Sequence, residues 1–286
     1  MERKTGRLYI CATPIGNLAD ITFRAIEVLG QVACIAAEDT RHTRKLLAHY
    51  GISTPLVSLH EHNEVQRAPA LIERMLRGDD VALVSDAGTP LISDPGYKLV
   101  QAALEAGIEV VPVPGASALL AALVGAGLPP HPFYFGGFLP RRRSERRRLL
   151  EALRPLGATL VFYEVPHRLQ QTLSDLAQLF PERRAAVARE LTKVHEEFLR
   201  GTTAELAAHF TASPARGECV IVIEGAARAD QGGCVDDDEI RRALLERMSA
   251  GMNKKEAIRA VAALLSIERR RVYQVAIDLY DEGDGV

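Results

Sequence analysis

Glu38 and Asp39 follow directly on the apolar run Ala33–Ala37, and Arg41, His42 and Arg44 come next. Two carboxylates at the end of a buried strand suit proton transfer, and the guanidinium groups beside them suit a phosphate-bearing substrate. The same letters, AAEDTRHTR, also suit a helix start, with Asp39 or Thr40 as the cap and the basic residues on the solvated face. Both readings stand on the sequence alone. A second polar cluster, His60, Glu61 and His62, closes the run Pro55–Leu59, but no third ligand can be assigned to it and no metal site is expected.

Ser85–Gly96, SDAGTPLISDPG, sets two glycines and two prolines in one connection, which fixes a loop while leaving backbone N–H groups open to a ligand. VPVPGASA at Val111–Ala118 carries a second Pro-Gly-small loop, and the turn at Thr13–Asn17 is a third. Three such loops on one sheet edge predict a pocket for a nucleoside-sized ligand. Neither a P-loop nor a GxGxxG after the first strand is present, so ATP and dinucleotides lose support and a ligand without phosphates fits better. Elsewhere, Arg141–Arg148 holds six arginines with only Ser144 and Glu145 between them. That density predicts a phosphate-binding surface, with RNA as the leading partner. Lys254, Lys255, Arg259, Arg269, Arg270 and Arg271 suggest a helix-turn-helix-like unit near the C-terminus, although dimer contacts explain such helices equally well.

The elements that must position these groups follow from periodicity. Apolar runs at Leu8–Thr13, Ala33–Ala37, Pro55–Leu59, Val81–Val84 and Glu109–Val113 alternate with helical patterns over Phe23–Val32, Val65–Arg77, Leu99–Ala106 and Ala116–Val124. Alternation of this kind implies a parallel sheet covered on both faces, with ligands outside the carboxyl ends of its strands. Prolines interrupt the chain at Leu128–Pro132. Strands are then expected at Phe133–Phe138, Thr159–Tyr163, Ala185–Ala188 and Cys219–Ile223, with helices at Leu169–Leu179 and Ala204–Phe210. Some of these connections are too short for helical crossovers, so antiparallel pairing is expected. A small-residue linker at Ala227–Asp237 leads to helices at Glu239–Met248, Lys254–Leu265 and Ile267–Tyr280.

The expected division is therefore an α/β domain at residues 1–128, a second at 129–226, and a linker with a helical unit at 227–286. A chain of 286 residues is long enough for this. No apolar stretch approaches the roughly 18 uncharged residues of a membrane span, and the charged start Met1–Arg7 has no apolar region behind it, so a cytoplasmic protein is expected. Cys11, Cys34, Cys219 and Cys234 are too scattered for a zinc knuckle or a redox pair. The net charge of -2 argues against an indiscriminate nucleic-acid coat but not against local patches.

Taken together, LYICATPIGNLADIT at Leu8–Thr22, AAEDTRHTRKLL at Ala36–Leu47, LHEHNE at Leu59–Glu64 and ALVSDAGTPLISDPG at Ala82–Gly96 resemble the tetrapyrrole methylase superfamily. With GFLPRR at Gly137–Arg142, VFYEVPHR at Val161–Arg168 and ARELTKVHEE at Ala188–Glu197 in the second domain, the same motifs more closely resemble its branch acting on small-subunit ribosomal RNA, over nearly the whole chain. The resemblance implies two α/β domains with a cleft for S-adenosylmethionine between them, a ribose 2′-hydroxyl of a decoding-centre cytidine in 16S ribosomal RNA as acceptor, and a homodimer. It places the donor against Pro14, Asp86, Ala87, Gly88, Thr89, Pro90, Ala116, Ser117, Tyr163, Glu164, Leu191 and Glu218, the last standing where tetrapyrrole enzymes commonly carry proline.

A ribose hydroxyl is a poor nucleophile, so a base or proton acceptor is expected among Asp39, Glu38, His60, Glu164 and His167, with Asp39 and Glu164 first because each ends a strand on the ligand side. Arg41, Arg44, Arg141, Arg142, Arg143, Arg146, Arg168, Arg189 and Lys193 are the expected contacts to RNA. No metal is required. Two rivals remain on the sequence: the same fold acting on a corrin or porphyrin precursor, which leaves the arginine run unexplained, and a non-catalytic RNA-binding assembly factor that keeps the pocket.

Overall fold

The computed structural model describes residues 5–226, 237–265, 267 and 269–281, which fall into two compact units, Met1–Gly225 and Ala226–Val286. The first unit contains two five-stranded sheets. In the first sheet β1 (Arg7–Cys11), β2 (Cys34–Ala37), β3 (Leu56–Ser58), β4 (Val81–Val84) and β5 (Glu109–Val113) are all parallel, in the order β3-β2-β4-β1-β5. β2 and β4 are buried along their whole length, which is why CIAA and VALV read as unbroken apolar runs. Alternation still operates inside the run. Val81 and Leu83 join Leu8, Leu71, Met75 and Leu99 in one core layer, while Ala82 and Val84 join Leu29, Ile35 and Leu47 in the other.

Helices α1 (Phe23–Gln31), α2 (Thr40–His49), α3 (Glu64–Leu76) and α4 (Tyr97–Glu105) cover the two faces, and their starts are chemically fixed. The Thr22 side chain accepts from Ala25 N at α1, and the Asp39 carboxylate accepts from Arg41 N at α2. Gly96 caps α4 without a side chain. The buried Glu64 of α3 supplies the missing acceptor, taking a hydrogen bond of 3.0 Å from Leu99 N.

The second sheet runs β6-β7-β10-β8-β9, from β6 (Phe133–Phe138), β7 (Thr159–Glu164), β8 (Arg184–Arg189), β9 (Glu197–Thr202) and β10 (Cys219–Ile223). Only β6 and β7 are parallel; the other neighbours are antiparallel, and of these β8 and β9 are joined by a connection too short for a helical crossover. Helices α6 (Arg143–Leu153), α7 (Pro166–Leu179) and α8 (Thr203–Ala212) cover one face over Leu160, Phe162, Val187 and Ile221. The other face, Val161, Ala186, Ala188, Val220 and Val222, receives Leu119, Ala122 and Leu123 of α5 (Ala118–Gly125). The helix that precedes the proline break thus packs on the sheet that follows it, so the break does not separate the two cores.

The second unit is a bundle of α9 (Asp237–Ser249), α10 (Lys254–Leu264) and α11 (Arg269–Asp281) around Ile240, Leu244, Ala257, Val261, Val272 and Val275. Gly251, at φ +88°, makes the turn into α10, where the Asn253 side chain accepts from Glu256 N. Apart from Asp237, which opens α9, the expected linker lies outside the described residues.

Candidate functional site

The three glycine- and proline-containing loops leave the adjacent strands β4, β1 and β5 at their carboxyl ends and are bonded to one another. Thr13 and Gly88 exchange both backbone hydrogen bonds, at 2.8 and 3.0 Å, and the Thr89 hydroxyl donates to Ala116 O at 3.2 Å. Gly88 sits at φ +83°, and a Cβ there would lie 3.2 Å from Ile15 Cγ2, so the loop needs glycine for both its turn and its close approach. Strain concentrates beside it. Among the described residues, the non-glycine positions with positive φ are Leu91, Ser93, Glu190 and Thr192, in the loop after β4 and the loop after β8.

Those two loops face one cavity of about 330 Å³, within the size range of small-molecule sites. The first sheet contributes Ile15, Glu38, Asp86, Ala87, Gly88, Thr89, Ile92, Ser93 and Asp94, and Ser117 and Ala118 begin α5. The second sheet contributes Phe138, Tyr163, Glu164, Val165, Leu191, Glu218, Cys219 and Val220. The expected donor residues Asp86, Ala87, Gly88, Thr89, Ser117, Tyr163, Glu164, Leu191 and Glu218 therefore come together. Pro14, Pro90 and Ala116 are not among the lining residues, although Ala116 O helps tie the loops by accepting from the Thr89 hydroxyl.

Electrostatically the cavity is one-sided. Glu38, Asp86, Asp94, Glu164 and Glu218 line it, and no lysine, arginine or histidine does among the described residues. Burial, followed by the charge of Asp86, pushes the Glu38 carboxyl up. Asp94 is pushed up to about 6 by burial and then by Glu38. Asp86 turns one oxygen to the backbone of the next loop, accepting from Asp39 N at 3.0 Å. Burial also pushes the Cys219 thiol up to about 12, so it is an inert part of the wall. Asp94 is the residue that the sequence reading passed over, although the second half of SDAGTPLISDPG carries it.

The two carboxylates expected first as bases are otherwise engaged. Asp39 caps α2 and pairs with Arg41 Nη2 at 2.8 Å; the Arg41 side chain, followed by its backbone N–H, holds the carboxyl well below the usual range, where it is a weak base. The helix-start reading of AAEDTRHTR is the one realised. Glu164 is fully buried, with one oxygen accepting from Val165 N at 2.9 Å and the other from the Thr172 hydroxyl at 2.6 Å, and with Arg168 Nε 3.4 Å away. Its carboxylate closes a structural network. His60 and His167 do not line the cavity, and no group of metal-ligating side chains occurs among the described residues.

The expected RNA-contacting cations also divide. Arg146 is only 2 % exposed, and its Nε and Nη2 donate to Asp175 Oδ2 at 2.9 and 2.7 Å, so it is a structural ion pair and not part of a phosphate surface. Arg168 is likewise internal, donating to the carbonyls of Leu139 at 2.6 Å and Pro140 at 3.1 Å. Arg189 pairs with Glu197, and Lys193 Nζ lies 2.9 Å from Glu190 and 3.4 Å from Glu218. Arg41, Arg44, Arg141, Arg142 and Arg143 remain on the surface, Arg142 pairing with Glu145 and Arg143 with Asp175.

The description of tetrapyrrole (corrin/porphyrin) methylases fits residues 7–207 of the chain. A ribosomal RNA small subunit methyltransferase I from Synechocystis is 48% identical over 98% of this chain and 100% of its own length. Proteins of the same name from Bacillus subtilis and Pseudomonas aeruginosa are each 46% identical, over 94% and 95% of this chain and 93% and 97% of their own lengths. In fold, the chain is similar to diphthine synthase, with a TM-score of 0.61 at 16% identity over 77% of this chain and 90% of that one. A uroporphyrin III C-methyltransferase from Thermus thermophilus gives 0.54 at 18% identity, over 76% and 97%.

Proposed function

We propose, from the premise that this chain belongs to the tetrapyrrole (corrin/porphyrin) methylases and within them to the ribosomal RNA small subunit methyltransferases I, that it methylates the 2′-hydroxyl of a decoding-centre cytidine in 16S ribosomal RNA. The observation that carries the reading is the cavity that is acidic and free of basic side chains, which suits a cationic, phosphate-free ligand such as S-adenosylmethionine. When bound, the donor supplies a methyl group already activated by its sulfonium charge.

The chain's own groups do the rest by position. Asp86–Thr89 in the linked loops and Ser117 and Ala118 at the start of α5 line the cavity together with Leu191 and Tyr163, and would hold the donor. Tyr163 Oη is itself fixed, accepting from Leu119 N at 3.2 Å. Ile15, Leu191 and Val220 form a buried apolar wall of the cavity that would limit water there, and holding the acceptor oxygen in line with the methyl carbon would be a proximity task. Asp94, with Glu38 beside it, takes the hydroxyl proton or orients it; a carboxyl raised toward neutrality is a better base than one held low by a guanidinium. Arg41, Arg44, Arg141, Arg142 and Arg143 are the outer cations available to phosphate.

The test is to supply methyl-labelled S-adenosylmethionine and small ribosomal subunits from cells lacking the gene, then digest the RNA. Label in a 2′-O-methylated cytidine is the expected result. Label in a tetrapyrrole precursor, or donor binding with no transfer to any ribosomal particle, overturns the reading.

A homodimer working in the cytoplasm belongs to the same proposal. Its support is α5, whose Leu120 and Val124 are 51% and 75% exposed one helical turn apart. Light scattering is expected to give twice the mass of the chain, and Val124→Glu the mass of one chain. A wild-type protein of single-chain mass at micromolar concentration overturns it.

A further inference from the structure

The second unit carries a charged surface that the reaction does not use. An open groove of about 670 Å³ between α10 and α11 is lined by Lys254, Lys255, Ile258, Arg259, Arg269, Arg270 and Tyr273. Lys255, Arg259, Arg269 and Arg270 are exposed and make no ion pair with the described carboxylates. Among the described residues no carboxylate lines the groove, although Glu256 stands beside Lys255 in the first turn of α10. Asp237 and Asp238 sit in the first turn of α9, where they pair with Arg271 and Arg241 at 3.3 and 3.4 Å. One arginine of the Arg269–Arg271 run is thus used to hold the bundle, and the other two are left to the groove. Tyr273 stands 53% exposed among these cations, and Ile258 forms the floor. The groove is lined by first-turn residues of both helices, where the positive ends of the helix dipoles add to its positive potential.

We infer that this groove is a second RNA-binding surface, in which Lys255, Arg259, Arg269 and Arg270 hold backbone phosphates and Tyr273 packs on a nucleotide. The inference rests on the reading of ribosomal RNA as the substrate. A planar ring amid guanidinium groups matches a chain that offers phosphate and base together better than it matches an acidic peptide, which offers charge without a stacking partner. A phosphate grip of this kind carries no sequence information; it adds affinity and salt dependence.

The experiment uses the full chain and small ribosomal subunits from cells lacking the gene. Lys255→Glu/Arg259→Glu/Arg270→Glu is expected to weaken subunit binding by about tenfold or more, and to make the slope of log affinity against log salt shallower by about 2 to 3. KM for subunits rises while kcat and S-adenosylmethionine affinity stay at wild-type values. Arg270→Ala alone, too mild to disturb the bundle, is expected to reduce the slope by about 1. Unchanged affinity and slope in both variants overturn the proposal, as does a loss of dimer with RNA affinity intact. A wild-type protein that neither binds nor methylates small subunits overturns the functional reading itself and this inference with it.

Discussion

Asp175→Ala is expected to cost about 3–5 kcal/mol of stability, the penalty for leaving a buried charge without its partner. Three arginines of α6 converge on this one carboxylate of α7, through Arg143 Nε at 2.9 Å, Arg146 Nη2 at 2.7 Å and Arg147 Nη1 at 3.6 Å. Asp175 and the Arg146 side chain are 1% and 2% exposed, so the guanidinium would have no water to turn to. Urea unfolding of the variant measures the loss, and a value under 1 kcal/mol would falsify the assignment. Arg146→Met/Asp175→Leu should recover most of it, because removing both charges also removes the desolvation cost. Burial pushes the Asp175 carboxyl up, but the hydrogen bonds from Arg143 and Arg146 outweigh it and hold the group below its ordinary range. The pair's contribution is therefore present at neutral pH and is lost as pH falls through that depressed value.

The second large effect is opposite in kind. Asp94→Asn is expected to lower turnover about a hundredfold, the lower end of what a positioned proton acceptor contributes, and to erase an ionisation near pH 6 from the rate profile. Stability moves the other way. With a folded value of about 6, above the ordinary carboxylate range, Asp94 holds its proton more tightly in the folded chain than in the unfolded one. Its ionisation then removes stability as pH rises through 6, and at pH 8 the ligand-free Asp94→Asn protein should melt about 2–4 °C higher than wild type. A variant that is slower and more stable at once marks a group kept for chemistry at the expense of the fold. Wild-type turnover would sink the role given to Asp94.

Much of this architecture was readable because buried parallel strands leave apolar runs, and strand ends leave polar residues after them. The cluster of loops after β1, β4 and β5 followed from their glycines and prolines. What escaped had weak or misleading patterning. β9, EFLRGT, is half-exposed at a sheet edge and pairs only with β8, so it offers no apolar run. α6 buries Arg146 and Leu150, so one of its inward positions is an arginine, and the run reads as a charged surface when part of it is core. Asp39 came first among the expected bases and Asp94 was not among them, for a related reason. Position after a strand is visible in sequence, whereas a cap bond to Arg41 or burial beside Glu38 depends on contacts that the fold creates.

The strand order of the first sheet bears on how the chain is made. β1 is synthesised well before its two neighbours in the sheet, β4 and β5; Leu8 pairs with Val81 and Tyr9 with Val111. At about 5–20 residues per second, a separation of about 70 residues keeps that strand without its partners for several seconds of synthesis. Long-range parallel pairing is slow for the further reason that loop closure must be met before any pairing rewards it. The nascent chain thus carries an unpaired apolar segment through the making of most of its first sheet, and this interval is when chaperone binding would matter most to its yield.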